Sequence, residues 1–129
     1  MTAEERDLLV RYRLQCAHEA IREADALMEK ALMRGSVNRL YYAMFYAAIA
    51  ALATREVYPK THKGVRQQFG LLFVVPGTVP SELGDAYSEL FERRHSGDYD
   101  DFVSIEAEAV QRLHAHTIAL VDAIKRIIE

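Results

Sequence analysis

The chain has almost none of the residues that staple or interrupt a polypeptide: one cysteine, three prolines and six glycines in 129 residues. A lone Cys16 excludes an intramolecular disulfide and a cysteine-built metal site, which fits a reducing compartment and leaves Cys16 to packing. So few breakers exclude a mosaic of short strands and turns, and leave the long uninterrupted segments from which helices are made. Long apolar runs are scarce too. The apolar stretch Leu40 to Ala53 is 14 residues with three tyrosines, short of the roughly 20 apolar residues that cross a bilayer. It reads as a buried helix.

Charge of one sign is also missing. Sixteen basic against nineteen acidic residues give a formal net charge of -3, so no chain-wide positive field marks a dedicated nucleic-acid binder, and any RNA contact has to be local. The segment Met1 to Asp7 is acidic and no apolar leader core follows it, so no export is expected and the cytoplasm is the expected location. There is no glycine-rich phosphate loop, no His-Glu-x-x-His pair, no nucleophile elbow and no deaminase cysteine pair. These absences weigh against the ordinary enzyme classes. His114 and His116, two apart on a helix, point in different directions and make a poor metal pair, and His18 sits among charged neighbours as a surface residue. No metal and no cofactor are expected.

What is present is half apolar and 27% charged, the usage of a folded domain, and residues 1–129 suit one such domain. From about Ala3 to Met33, Leu9, Tyr12, Cys16, Ala20, Ala24, Leu27 and Ala31 recur in steps of three and four, one helical stripe. Gly35 is expected to end this helix and Ser36 to cap the next, which runs to about Glu56. That second helix is apolar nearly all round, so other helices are expected to surround it. Tyr58-Pro59 breaks the chain, and Thr61 caps a short helix from about His62 to Val74. A loop with Pro76 and Pro80 leads to Ser81, which caps a helix to about His95, stopped by Ser96-Gly97-Asp98. A last helix from about Ser104 to Ile128 shows Leu113, Thr117, Leu120, Ile124 and Ile127 on one face. The fold class is therefore all-α, an up-and-down antiparallel four-helix bundle plus one short helix, with the second helix at its centre.

Two polar clusters stand out. The first is Glu92-Arg-Arg-His-Ser-Gly-Asp-Tyr-Asp-Asp101, a helix end running into a loop. Arginine presents a planar fork for phosphate, histidine titrates near neutrality, and tyrosine offers a hydroxyl and a stacking face. The same residues have a structural use: Arg93 and Arg94 face the negative end of the helix dipole, and Asp98, Asp100 and Asp101 neutralise them and cap the next helix. The second cluster is Tyr58-Pro-Lys-Thr-His-Lys63 with Arg66, the most basic local surface, where Lys60, His62 and Lys63 could meet phosphates or simply solubilise a turn.

The chain resembles the HEPN family, small helical proteins often encoded beside minimal nucleotidyltransferases in prokaryotes. The resemblance covers nearly the whole chain and rests on three blocks: Ser36-Val-Asn-Arg-Leu-Tyr-Tyr-Ala-Met-Phe-Tyr46; Pro59-Lys-Thr-His-Lys-Gly-Val65 with Gln68-Phe69; and Leu90-Phe-Glu-Arg-Arg-His-Ser-Gly-Asp-Tyr-Asp-Asp-Phe102. It implies an up-and-down bundle that forms a homodimer, with two copies of an arginine motif facing one another across a cleft. Many members are metal-independent ribonucleases whose motif is an arginine, four to six residues, then a histidine. The arginine holds phosphate and the imidazole assists attack by the ribose 2'-hydroxyl, an acid-base task.

The matching arginine is Arg94, but five residues on stands Tyr99. A phenol titrates near 10 and is a weaker base than imidazole at neutral pH, while His95, adjacent to Arg94 on a helix, points about 100° away. Asn38 and Arg39 match polar positions of the first block and could line the same cleft; alternatively Asn38 supports the helix start and Arg39 snorkels from it. The resemblance thus implies a toxin-antitoxin or nucleotidyltransferase-associated protein that binds RNA or a nucleotide, with Arg94, Tyr99 and His95 as catalytic candidates. The alternative is a non-catalytic module that docks on, or is modified by, a minimal nucleotidyltransferase, with Tyr99 as the acceptor.

Overall fold

The computed structural model describes residues 1–96 and 105–129, with His95 and Ser96 described by their backbone alone. Helices α1 (Ala3–Glu29), α2 (Met33–Thr54), α3 (His62–Phe69), α4 (Ser81–Ser96) and α5 (Ala107–Ile128) follow in order, and a π-helical turn, Gly70–Val74, extends α3. The described residues form an all-α bundle in which α2 touches α1, α3, α4 and α5. The expectation of a helical bundle plus a short helix holds.

The α1–α2 pair is the foundation. Thr2 caps α1 by accepting a 3.1 Å hydrogen bond from the Glu5 amide, satisfying one of the four amides that a helix start leaves unpaired. Ser36 on α2 donates to the Ala24 carbonyl of α1 at 3.1 Å, and at the other end Ala50 and Ala53 cluster with Val10. Contacts that pair the start of α2 with the far part of α1, and the end of α2 with the near part, require an antiparallel hairpin. Ala17, Ala20, Ala24, Ala43 and Ala47 are all buried, and side chains this small let two backbones approach closely.

Several local expectations are corrected. The first helix ends at Glu29, not Met33, because Ala31 takes the left-handed turn (φ 58°) that Gly35 was expected to take. The Leu32 amide then bonds back to the Leu27 carbonyl at 2.8 Å, closing the helix end in the manner usual for a left-handed stop. Gly35 instead lies inside α2, where a Cβ would come 3.1 Å from a Leu27 methyl; its value there is close approach. Ser36 is buried one residue further along and serves as an interhelical donor, not as a cap. The stripe of α1 is rotated as well: Val10, Ala17, Ala20 and Ala24 are buried, while Tyr12 is 59% exposed and Ala31 is exposed. Nor is α2 enclosed on all sides, since Arg39, Tyr42, Phe45, Tyr46 and Ile49 remain half-buried.

The other elements lie close to expectation. Thr61 caps α3 by accepting from the Gly64 amide at 2.9 Å. Leu113, Thr117, Leu120 and Ile124 of α5 are buried, and Ile127 packs at the core's edge. α5 starts at Ala107, after the cap residue Glu106 and later than the expected Ser104, and the Gly97-Asp98 part of the expected stop of α4 lies outside the described residues. His114 is tied to α1 through a 2.5 Å contact with Asp25, in place of the solvated position expected for it.

Glu89 fastens α4 to α5. Its carboxylate accepts both Arg112 terminal nitrogens, at 3.0 and 2.9 Å, and the Arg93 Nε at 3.0 Å. The hydrogen bonds from Arg112 first, and those from Arg93 after them, hold Glu89 below its ordinary carboxylate range. A carboxylate with a depressed folded-state value contributes stability that is fully present above its unfolded value and is lost as pH falls through the folded value.

Two outcomes follow from this packing. Ala43→Leu should lower the urea midpoint without changing the slope, at a cost of roughly 1–3 kcal/mol, because a buried small residue between close helices has no room for three more carbons. Glu89→Gln should flatten the loss of stability on acidification below about pH 4.5, by no more than about 1 kcal/mol since the network is partly exposed. Thermal denaturation across that range measures it, and an unchanged acid limb would remove Glu89 from the account.

Candidate functional site

The consecutive tyrosines of α2 point about 100° apart, and that divergence builds the site. Tyr41 turns into the core and is fully buried; Tyr42 stays at the half-open edge. Their rings meet edge to face with centroids 5.3 Å apart. Arg94, in the last turn of α4, reaches across to both. Its Nη2 donates to the Tyr42 hydroxyl at 2.7 Å, and its guanidinium carbon lies 5.2 Å from each ring centroid. Cation and ring face attract through the ring quadrupole, worth about 0.5–2 kcal/mol according to how far water is excluded.

Arg39 comes to the same phenol from its own helix. Its guanidinium carbon lies 4.9 Å from the Tyr42 centroid, and its Nη1 is 3.7 Å from Glu23 on α1. The Nε atoms of Arg39 and Arg94 are both buried with no hydrogen-bond partner among the described residues. Two cations thus share one tyrosine, and among the described residues no carboxylate pairs with Arg94.

From the other side α3 delivers His62. As the first residue after the Thr61 cap it projects onto α2, where its ring stacks on Phe45 at 4.2 Å and 9° and its Nδ1 lies 2.7 Å from the Tyr41 hydroxyl. Burial pushes Tyr41 up to about 12, against the opposing pull of Arg94, so the phenol keeps its proton at neutral pH. That hydroxyl can serve either form of the ring. It accepts from Nδ1–H of a neutral imidazole, whose Nε2 then carries the lone pair that can take a proton, or from Nδ1–H of an imidazolium, and it can donate to Nδ1 of the other neutral tautomer. Tyr41 is therefore a shared wall: Arg94 over its face, His62 at its hydroxyl.

Of the residues singled out from sequence, the structure brings together Arg94, Arg39 and His62. Lys60 and Lys63 flank His62 in sequence but are exposed, and Asn38 is exposed in the second turn of α2, too far along to support the helix start. Arg66 leaves the basic turn and packs over Phe91 at 4.4 Å, with its Nη1 3.5 Å from Ser88 Oγ. Tyr99, Asp98, Asp100, Asp101 and the side chain of His95 lie outside the described residues. Arg93, paired with Glu89, serves the α4–α5 link. Sequence reasoning missed Tyr41, Tyr42 and Phe45 as site residues, because it treated their run as core on every side. The available signal was the doublet itself, since two large rings placed about 100° apart on a helix face different neighbours.

Comparison with known proteins gives the kinship of the chain. The family model described as HEPN domain matches residues 10–127. A Thermotoga maritima protein named UPF0332 protein is 34% identical over 97% of this chain and 95% of its own. A Methanocaldococcus jannaschii protein named "Putative toxin" is 34% identical over 88% of this chain and 84% of its own. A UPF0332 protein from Gloeobacter violaceus is 35% identical over 77% of this chain and 75% of its own. A family model spanning nearly every residue, joined by relatives at this identity along three quarters or more of their own length, settles the kinship: the chain belongs to the HEPN domain family.

Proposed function

We propose that this protein binds an RNA phosphodiester at the Arg94–Tyr42–Arg39 cluster, as a homodimeric toxin of a prokaryotic toxin-antitoxin or nucleotidyltransferase-associated pair. The observation that carries the proposal is the holding of Arg94 by a tyrosine. Its guanidinium is fixed by the Tyr42 hydroxyl at 2.7 Å and by two ring faces, so it keeps its full charge and is pre-set for an anion. An arginine needed only for packing is more usually neutralised by a carboxylate; one aligned by neutral groups keeps its attraction for phosphate. The names of the two similar Methanocaldococcus jannaschii proteins, both "Putative toxin", support the toxin assignment. Dimerisation and the nucleotidyltransferase pairing rest on the family resemblance.

Cleavage is favoured over simple binding by His62. The position five residues after Arg94 holds Tyr99, yet an imidazole reaches the same aromatic cluster from α3. In the proposed step the ribose 2'-oxygen attacks phosphorus and its proton passes to His62. The bond from phosphorus to the 5'-oxygen breaks, and that oxygen leaves with a proton from a second acid. A 2',3'-cyclic phosphate and a 5'-hydroxyl result, with no metal needed. Tyr41 positions the ring through Nδ1 and does not itself exchange a proton with substrate. The alternative, a non-catalytic module modified on Tyr99 by a nucleotidyltransferase, predicts a mass adduct after incubation of the two proteins with ATP.

Arg94→Ala should weaken binding of a labelled single-stranded RNA by about 10- to 100-fold, the loss of a charge-assisted phosphate contact, and should relieve growth arrest on expression. His62→Gln should hold binding within about threefold while removing the cyclic-phosphate product, as read by fluorescence anisotropy and end-group analysis. Parent-like RNA affinity in Arg94→Ala would end the site assignment. Undiminished cleavage by His62→Gln would end the role of His62 and leave the binding site standing.

A further inference from the structure

The half-open face of α2 continues beyond the arginine cluster. Arg39, Tyr42, Tyr46 and Ile49 recur at steps of three and four and are all part-buried, while Leu40, Ala43, Met44, Ala47 and Ala48 between them are fully buried. Tyr42 and Tyr46 stand 5.8 Å apart, centroid to centroid, with their planes tilted 38°. On the neighbouring turn of α1, the Arg13 guanidinium carbon lies 5.8 Å from the Tyr46 centroid and 5.6 Å from that of Tyr12. Tyr12, which its spacing assigned to the core, is 59% exposed. The result is an alternating row across α1 and α2: Arg94 and Arg39 at Tyr42, then Tyr46, then Arg13, then Tyr12.

We infer that this row is a track for an unpaired stretch of RNA, with bases stacking on Tyr46 and Tyr12 and the backbone running past Arg39 and Arg13. The inference rests on the proposal that Arg94 takes an RNA phosphodiester, and it names the form of RNA and the residues beyond that phosphate. Stacking faces interleaved with guanidinium groups suit a single strand, whose bases offer free π-surfaces, and not a duplex, whose bases are already stacked on each other. Charge selects the occupant. Three guanidinium groups line the row, and among the described residues their one carboxylate partner is Glu23, at 3.7 Å from Arg39. The Nε atoms of Arg13, Arg39 and Arg94 are all buried without hydrogen-bond partners among the described residues. A polyanion meets that surplus. A second copy of the chain seated on the same row would bring the surplus against its own like.

The row also explains how a chain of net charge -3 can hold RNA. The contact is short, local and built as much from stacking as from charge, so its salt dependence is shallow.

The test uses the full chain and three probes: a labelled oligoadenylate, a duplex of the same length, and the dinucleotide adenylyl-adenosine. The single strand should bind more tightly than the duplex. Tyr12→Ala and Tyr46→Ala should each weaken the single strand by roughly five- to a hundredfold, leave the dinucleotide unchanged, and be rescued by Tyr12→Phe and Tyr46→Phe. Arg13→Gln should lower the slope of log affinity against log salt by about one. Tyr12 is so exposed that its replacement leaves the core intact, so single-strand affinity unaltered in Tyr12→Ala and Arg13→Gln overturns the track. Equal affinity for duplex and single strand also overturns it, as does loss of a dimer in Tyr12→Ala by sedimentation, which would make the row a contact between copies. Single-strand binding that depends on Tyr12 and Tyr46 but not on Arg94 supports the track and overturns the phosphodiester site alone.

Discussion

The close antiparallel approach of α1 and α2 is the constraint on which everything else depends. It is possible because alanines line both helices where they meet, with Ser36 donating to the Ala24 carbonyl near one end and Val10 resting on Ala50 and Ala53 at the other. Burying such small side chains yields little hydrophobic free energy per residue. The return comes from dense contact between helices and from the larger groups that the close approach brings into register. α1 makes the most extensive contact with α2, and α3, α4 and α5 pack on other parts of it. The strip left half-buried carries Arg39, Tyr42, Phe45, Tyr46 and Ile49.

That geometry explains why the aromatic residues divide as they do. Tyr41 is drawn into the core, where burial keeps its phenol protonated, and its hydroxyl finds His62 as a partner. Tyr87, buried beside it, is likewise pushed upward by burial first and by Tyr41 second. Tyr42, one residue from Tyr41, faces the gap between α2 and the end of α4, and its hydroxyl is what Arg94 meets. A buried or half-buried cation needs either a counter-charge or a set of oriented neutral acceptors and ring faces. The second solution leaves the charge available to a ligand, which is why the absence of a carboxylate on Arg94 among the described residues matters more than the presence of any one contact. Arg93 shows the contrast: one position earlier, it is committed to Glu89 and the α4–α5 link.

A second consequence concerns chemistry. The family's usual arrangement draws arginine and histidine from one segment of chain; here the described imidazole of the cluster comes from the start of α3, placed by the Thr61 cap and by the Phe45 ring. Acid-base work requires an imidazole held in a defined tautomer at a defined place, and not a particular spacing in sequence. A hydrogen bond between Nδ1 and a phenol that stays protonated fixes the place of the ring, and the tautomer that directs Nδ1–H at the phenol is the one able to take a proton at Nε2.

Composition and periodicity alone determined the class of this protein: the shortage of breakers and the repeats in steps of three and four required helices, and the helix with Leu40 to Ala53 was marked as central because most of its residues avoid water. The three sequence blocks also carried the family and picked out Arg94. Helix rotation was not legible. Tyr12 and Cys16 fit an apolar stripe as well as Val10 and Ala17 do, and only the positions of neighbouring helices decide which stripe is covered. Gly35 and Ala31 show the same limit at a turn, where glycine was the better candidate for a left-handed conformation but the room demanded by Leu27 assigned it to close packing. The meeting of Arg94, Arg39, Tyr42 and His62 spans three helices far apart in sequence. Local pattern specifies which residues want burial or charge; which of them meet is decided by how the helices pack, since that sets which strip of α2 stays half-buried.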